Sequence, residues 1–300
     1  MQLKHLSVLA AASLVAAQDN GTSQDLNATL SSQPTLSNLT SFLNLNPQLI
    51  ELLNSASNLT VLAPSDEAFT ALTNSSAGGA LATDPGLVSA LLQYHILNGT
   101  FTSQSITNES TFIPTYLTNS SYTNVTGGQV VEALLIGNDT VFYSGLLQNA
   151  TVTQADVNFT GGVLHIIDSV LVLPESVLDT ANAANLTSFR GALNATDSIS
   201  FVDETPDLTI FAPINEGFQR IFSALQNAST EDIANVLAYH VVNGSVAYST
   251  DLSNGTSLQT ANGANLTITI DANGTVFVNA AEVVVPNVLV ANGVVHIIDK

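Results

Sequence analysis

Thr60-Val61-Leu62-Ala63-Pro64-Ser65-Asp66-Glu67-Ala68-Phe69 is the stretch that decides the fold, because the chain writes it twice. It returns as Thr209-Ile210-Phe211-Ala212-Pro213-Ile214-Asn215-Glu216-Gly217-Phe218. Two further blocks follow each copy in the same order. Tyr94-His95 answers Tyr239-His240, and Gly162-Val163-Leu164-His165-Ile166-Ile167-Asp168 answers Gly293-Val294-Val295-His296-Ile297-Ile298-Asp299. The offset between copies shrinks from block to block, so the first copy carries the longer connections, where duplicated domains diverge while keeping their cores. A period this long describes two globular domains, since the units of a solenoid repeat every 20–50 residues or so.

Local patterns fill in each copy. Leu36, Leu39, Phe42 and Leu43, then Leu49, Ile50, Leu52 and Leu53, recur at helical spacing, with Pro47 opening the second segment. Thr60–Ala63 reads as a short strand ending at Pro64, and Asp66–Leu72 as a helix. Thr83-Asp84-Pro85 is a helix start, with a capping side chain before a first-turn proline. That helix is expected to run to about His95 and stop near Asn98-Gly99. Its partner starts at the capping box Ser229-Thr230-Glu231-Asp232 and ends at Asn243-Gly244. Leu266–Ile270 alternates and turns at Asp271–Gly274 into Val276-Phe277-Val278, and Val130–Tyr143 repeats this hairpin.

Together these blocks resemble the fasciclin domain, an extracellular adhesion module. The resemblance covers residues 34–174 and 178–300, joined by a short junction around Pro174–Asn182, and the pairing of two domains without a Pro-rich tract looks fungal rather than plant-like. It implies an α+β fold: two tandem domains, each a twisted β-sandwich or wedge of about seven strands with helices packed along one edge. It also implies no enzymatic activity and no cofactor. The signature positions are Pro64, Phe69, Tyr94, His95, His165 and Asp168 in the first domain, and Pro213, Phe218, Tyr239, His240, His296 and Asp299 in the second. In animal members, sequence around Tyr-His and a downstream Asp-Ile is tied to integrin binding. Here the downstream pairs read Asp156-Val157 and Asn287-Val288, so the acid is lost from the second copy.

The N-terminus reads as a secretory signal over residues 1–17: a polar start, an apolar run from Leu6 to Ala16, and small residues at Val15-Ala16-Ala17. The run is too short for a bilayer, which needs about 20 residues. Residues 18–33 read as a flexible polar lead-in. The second closing strand is expected to be incomplete at Lys300, with a Ser/Thr-rich stalk or lipid-anchor signal following it. The chain has no cysteine, which removes thiol catalysis, and two domains of this size bury a core without disulfides.

Sequons abound: Asn20, Asn27, Asn38, Asn58, Asn74, Asn98, Asn108, Asn119, Asn124, Asn138, Asn149, Asn158, Asn185, Asn194, Asn227, Asn243, Asn254, Asn265 and Asn273. Random placement predicts roughly six, and the excess marks them as N-glycosylation candidates. A carbohydrate coat would solvate a surface on which charged residues are only 9% of the chain. The balance is 24 acidic to 4 basic residues, which repels phosphate backbones and excludes nucleic acid as a partner.

Four of the five histidines fall in the repeated blocks. A metal reading would join His95, His165 and Asp168, but no His-x-x-x-His or carboxylate cluster supports it, and these residues read as buried imidazoles bonded to backbone. Glu67 and Glu216 follow the Pro blocks, where a helix N-terminus favours negative charge without any catalytic role. No Gly-x-Ser-x-Gly, phosphate loop or His-Glu-x-x-His is present. The expected function is adhesion at the cell surface, wall or matrix through wall or surface glycans and proteins. The alternative is a glycan- or small-ligand-binding protein of the vacuole or wall lumen. An exposed apolar patch shared between copies would favour the first, and a binding groove rimmed by aromatics the second.

Overall fold

The computed structural model describes residues 24–225 and 228–300. The proposed signal segment, the first six residues of the lead-in (18–23), and the sequons Asn20 and Asn227 lie outside the described residues. The first module comprises helices α1 (Leu26–Ser31), α2 (Ser37–Asn44) and α3 (Pro47–Ser55), strand β1 (Leu59–Pro64), helices α4 (Asp66–Thr73), α5 (Ser76–Thr83) and α6 (Pro85–Tyr94), then strands β2 (Ile96–Asn98), β3 (Thr111–Pro114), β4 (Val130–Ile136), β5 (Asp139–Tyr143), β6 (Asn149–Phe159) and β7 (Gly162–Ile167). The second repeats the order, among the described residues without a counterpart of α5: α7 (Val177–Ala183), α8 (Thr187–Ala195), α9 (Ile199–Glu204), β8 (Leu208–Pro213), α10 (Asn215–Leu225), α11 (Thr230–Tyr239), β9 (Val241–Asn243), β10 (Ser257–Gln259), β11 (Asn265–Ile270), β12 (Val276–Val278), β13 (Ala281–Val290) and β14 (Gly293–Ile298).

Each module holds a seven-stranded sheet, ordered β2-β1-β7-β6-β5-β4-β3 and β9-β8-β14-β13-β12-β11-β10. The first strand of each module pairs in parallel with its last, from Leu59↔Gly162 to Pro64↔Ile167 and from Leu208↔Gly293 to Pro213↔Ile298. The other pairings are antiparallel. Single bridges, Leu97↔Thr115 and Val242↔Thr260, then tie the two edges of each sheet, so each sheet folds over on itself.

That folding gives every module two cores, and β1 separates them. Leu59, Val61 and Ala63 pack with Leu30, Leu39 and Leu53 of the helices, while Leu62 on the other face joins Tyr94, Val131 and Phe142 inside the folded sheet. The second module repeats the split, with Leu208 and Ile210 on the helical side and Phe211 on the other. A strand buried on both faces reads as a continuous apolar run rather than an alternating one, as Thr60–Ala63 does.

Three expectations are corrected. Residues 24–33 are not a loose lead-in. Asp25 caps α1 by accepting from Ala28 N at 2.7 Å, and Leu26 and Leu30 are buried in the helical core. The helices holding Tyr-His stop at Tyr94 and Tyr239, short of the Asn-Gly signals, because Ile96-Leu97 and Val241-Val242 pair with β1 and β8. Helical propensity yields there to burial in the sheet. Finally, β14 makes the same six pairs as β7 and so is a complete closing strand. The Ser169–Pro174 segment that follows β7 in the first module is not in the sheet. Leu171 N donates instead to His95 Nε2 at 2.9 Å, and Gly145 N to Val172 O at 2.9 Å.

Candidate functional site

The signature residues turn out to be joints between elements. Asp66 and its counterpart Asn215 cap a helix from another part of the chain. Asp66 accepts from Asn38 N and Ser37 Oγ, both at 2.7 Å, and Asn215 Oδ1 accepts from Ser188 N at 2.9 Å. Glu67 and Glu216 sit in the first turns of α4 and α10. Pro64 and Pro213 end their strands, Phe69 stacks on Phe42 at 5.2 Å, and Phe218 packs on the helical core of its module. Asp168 and Asp299 each fasten the next strand: Asp168 Oδ1 accepts from Thr151 N and Asp299 Oδ1 from Glu282 N, both at 2.8 Å.

The histidines of the closing strands hold an irregular turn on the neighbouring strand. His165 is fully buried, with Nε2 on Phe101 O at 2.8 Å and Nδ1 accepting from Asp156 N at 3.2 Å. His296 repeats this with Ala247 O at 2.9 Å and Asn287 N at 3.4 Å. Asp156 and Asn287 both take positive φ (60° and 62°) where the register of β6 and β13 shifts, which is the geometry of a bulge. Their side chains then cap short 3-10 turns, Asp156 on Ser103 N and Asn287 on Ser249 N, each at 2.9 Å.

In the Tyr-His pairs the ring nitrogen assignment reverses. His95 Nδ1 meets Leu91 O at 2.8 Å while Nε2 accepts from Leu171 N, and His240 Nδ1 meets Val236 O at 2.7 Å. Burial lowers the His95 and His296 pKa values to about 4, against the opposing pull of their backbone bonds. A general base needs a free nitrogen within reach of substrate. His95, His165 and His296 have both nitrogens committed to backbone. Tyr94 is fully buried with its hydroxyl on Val130 O at 2.9 Å, and Asp156 also accepts from Ser103 Oγ at 2.5 Å. In the first module Tyr94 and His95 of the integrin-type motif thus face inward, while Asp156 and Val157 are half-buried. Among the described residues no group of three or more His, Asp or Glu is arranged to hold a metal, and no helix is long and apolar enough to cross a membrane.

The most developed polar surface lies between the modules, and sequence reasoning did not find it. Gln129, fully buried, donates Nε2 to Val290 O at 3.0 Å. Glu132, also buried, accepts from Ser110 Oγ at 2.5 Å and from Asn287 Nδ2 of the other module at 3.1 Å. Burial pushes the Glu132 carboxyl above its ordinary value, opposed by those two bonds. Nearby, Phe112 stacks on Tyr248 with ring centroids 4.1 Å apart. At the far end Asn124 N donates to Ala291 O at 2.7 Å, and Thr126 bonds Asp207 through N (2.7 Å) and Oγ1 (2.6 Å). The one sequence signal toward this seam was the change from Asp156 to Asn287.

Of the sequon asparagines among the described residues, all are exposed except Asn38, which is half-buried. The buried asparagines Asn287 and Asn292 belong to no sequon.

The chain is similar to a fasciclin-like arabinogalactan protein of Arthroderma benhamiae, 36% identical over 271 residues, covering 90% of this chain and 64% of that protein. A fasciclin-like arabinogalactan protein of Phaeosphaeria nodorum is 31% identical over 276 residues, 92% of this chain and 87% of that one. Among solved structures, a domain pair from the insect cell adhesion molecule Fasciclin I aligns over 87% of this chain and 95% of its own length, at 22% identity and a TM-score of 0.41. The family model for the fasciclin domain matches residues 34–174 and 184–300, and the chain belongs to the fasciclin domain family.

Proposed function

We propose that this chain is a secreted, N-glycosylated adhesion protein of the cell surface, wall or matrix, built from two modules bounded near residues 34–174 and 178–300. The observation that carries the reading is a pair of exposed apolar side chains at one register in the two modules. Leu52 on α3 is 42% exposed and Phe201 on α9 is 38% exposed, each one residue before a buried partner, Leu53 or Val202. A solvent-facing apolar side chain that recurs at the same place in both copies suits contact with another surface rather than the module's own packing. The exposed sequons support the extracellular part of the reading, since a transferable asparagine must be reachable. Partners are glycans or proteins of the surface or wall.

Two linked contacts raise avidity by roughly 10²–10⁴ over one. Beads carrying the chain should therefore attach to cells or isolated walls far better than beads carrying Leu52→Ser with Phe201→Ser. Each single variant should fall between. Equal attachment by the double variant would remove the adhesive role from these positions.

A further inference from the structure

Asn124-Val125-Thr126 is a sequon whose two recognition side chains are both spent on the other module. Asn124 Nδ2 donates to Glu204 O at 2.8 Å, and Thr126 Oγ1 donates to Asp207 Oδ2 at 2.6 Å. The backbone around them is committed too, with Asn124 N on Ala291 O at 2.7 Å and Thr126 N on Asp207 Oδ1 at 2.7 Å. Thr123 Oγ1 adds a 3.2 Å bond to the same Ala291 carbonyl. Four of these five bonds therefore converge on Ala291 and Asp207, and the fifth on Glu204.

We propose that Asn124 is a modification site that sets the relation between the modules: an N-glycan there and the closed seam exclude one another. Glycosyl transfer forms a bond from Nδ2 to the anomeric carbon of a lipid-pyrophosphate-linked oligosaccharide. The lipid pyrophosphate leaves and one amide proton is lost. The product carries a pyranose ring on a nitrogen that the closed seam holds against the Glu204 carbonyl, beside a main-chain nitrogen held against Ala291. Asn124 is exposed as a residue, but its Nδ2 lies 2.8 Å from the Glu204 carbonyl, so a ring carried on that nitrogen crowds the second module's backbone where the seam closes. In the reverse direction, a closed chain withholds both the amide and the hydroxyl that a glycosyltransferase must engage. Glycosylated chains are then two modules on a hinge, and bare chains are one closed unit.

The chain has no cysteine, so a sugar can be placed at this position alone. The full-length Asn124→Cys variant, made in a host that does not glycosylate, is alkylated either with iodoacetamide or with an iodoacetyl derivative of N-acetylglucosamine. Small-angle scattering then compares the two. The carbamidomethyl protein, which loses only the side-chain bond, should keep the compact profile of the unmodified chain. The sugar-bearing protein should lengthen, with a larger radius of gyration. Equal dimensions for the two conjugates would overturn the proposal.

In protein secreted from a glycosylating host, molecules with Asn124 occupied should appear only in the extended fraction, and their presence in the compact fraction would also overturn it. This second arm rests on the secretory reading proposed above. Absence of glycan from every sequon would sink that reading and leave the conjugate result standing.

Discussion

Asn287 and Asp156 occupy the same bulge in the two modules, but only Asn287 reaches across the seam, where its amide donates to the Glu132 carboxylate at 3.1 Å. Within its module each does the same work, capping a 3-10 turn through a side-chain oxygen. The amide is what the second position requires. An aspartate there would set a carboxylate against the buried carboxylate of Glu132. The loss of acid from the second copy is thus a fit to its neighbour module.

Asn287→Asp should therefore lower stability by about 2–4 kcal/mol, as expected when a buried charge loses its partner and gains a repulsive one. Asp156→Asn, which keeps an acceptor for Ser103 N, should cost less than about 1 kcal/mol. Urea unfolding of the two variants checks the asymmetry. Equal losses would mean that the contact across the seam contributes nothing.

Glu132 gives the seam a pH dependence. Its folded pKa is raised above the ordinary 4.5 by burial. Between those two values the folded state binds more protons than the unfolded state, so this group's contribution is full below the ordinary value and declines as pH rises through the raised one. Glu132→Gln keeps an acceptor for Ser110 and Asn287 without the charge. It should flatten melting temperature against pH from about 4.5 upward. A variant with an unchanged profile would show that the carboxyl titrates as it would in solvent.

The buried histidines act with the opposite sign. His95 and His296 have folded pKa values of about 4 against 6.5 in the open chain. Their contribution is present above pH 6.5 and is lost as pH falls through the interval to about 4. Their partners also fix different tautomers, Nδ1–H in His95 and Nε2–H in His296. Nitrogen-15 spectra should show those two forms and no titration of either ring between pH 5 and pH 8. A midpoint near 6.5 for either would contradict the burial described.

Gly162 and Gly293 open the closing strands where these run against β1 and β8. A Cβ at either position would fall inside the carbonyl oxygen of Leu59 or Leu208. Gly162→Ala and Gly293→Ala should each yield protein that fails to fold or melts far below the parent, because backbone rather than a flexible side chain stands in the way. Thermal melts decide it, and a shift within a few degrees would refute the close approach.

Much of the architecture was legible because it is local or repeated. The duplicated blocks announced two modules, and capping patterns such as Asp84-Pro85 and Ser229–Asp232 placed helix starts that the structure holds. What escaped was decided by distant partners. Ile96-Leu97 looks like the end of a helix until β1 is there to pair with it, and Leu26 and Leu30 look like part of a polar leader until α2 and β1 offer them a core. The seam was least visible. Gln129, Thr126 and Asp207 are ordinary surface residue types, and nothing in their spacing says that a second module will cover them.

The pairing of Leu59 with Gly162, and of Leu208 with Gly293, also governs the order of events during synthesis. The first strand of each module leaves the ribosome long before the last strand it must lie beside, so neither sheet can close until almost the whole module has been made. Pairings so remote in sequence form slowly, because the intervening chain must be ordered before the contact repays it. The first module is complete while the second is still being translated. Asn124 therefore leaves the ribosome before Glu204, Asp207 and Ala291 exist, and on the secretory reading proposed above the sugar-transfer step would meet it before the seam can close.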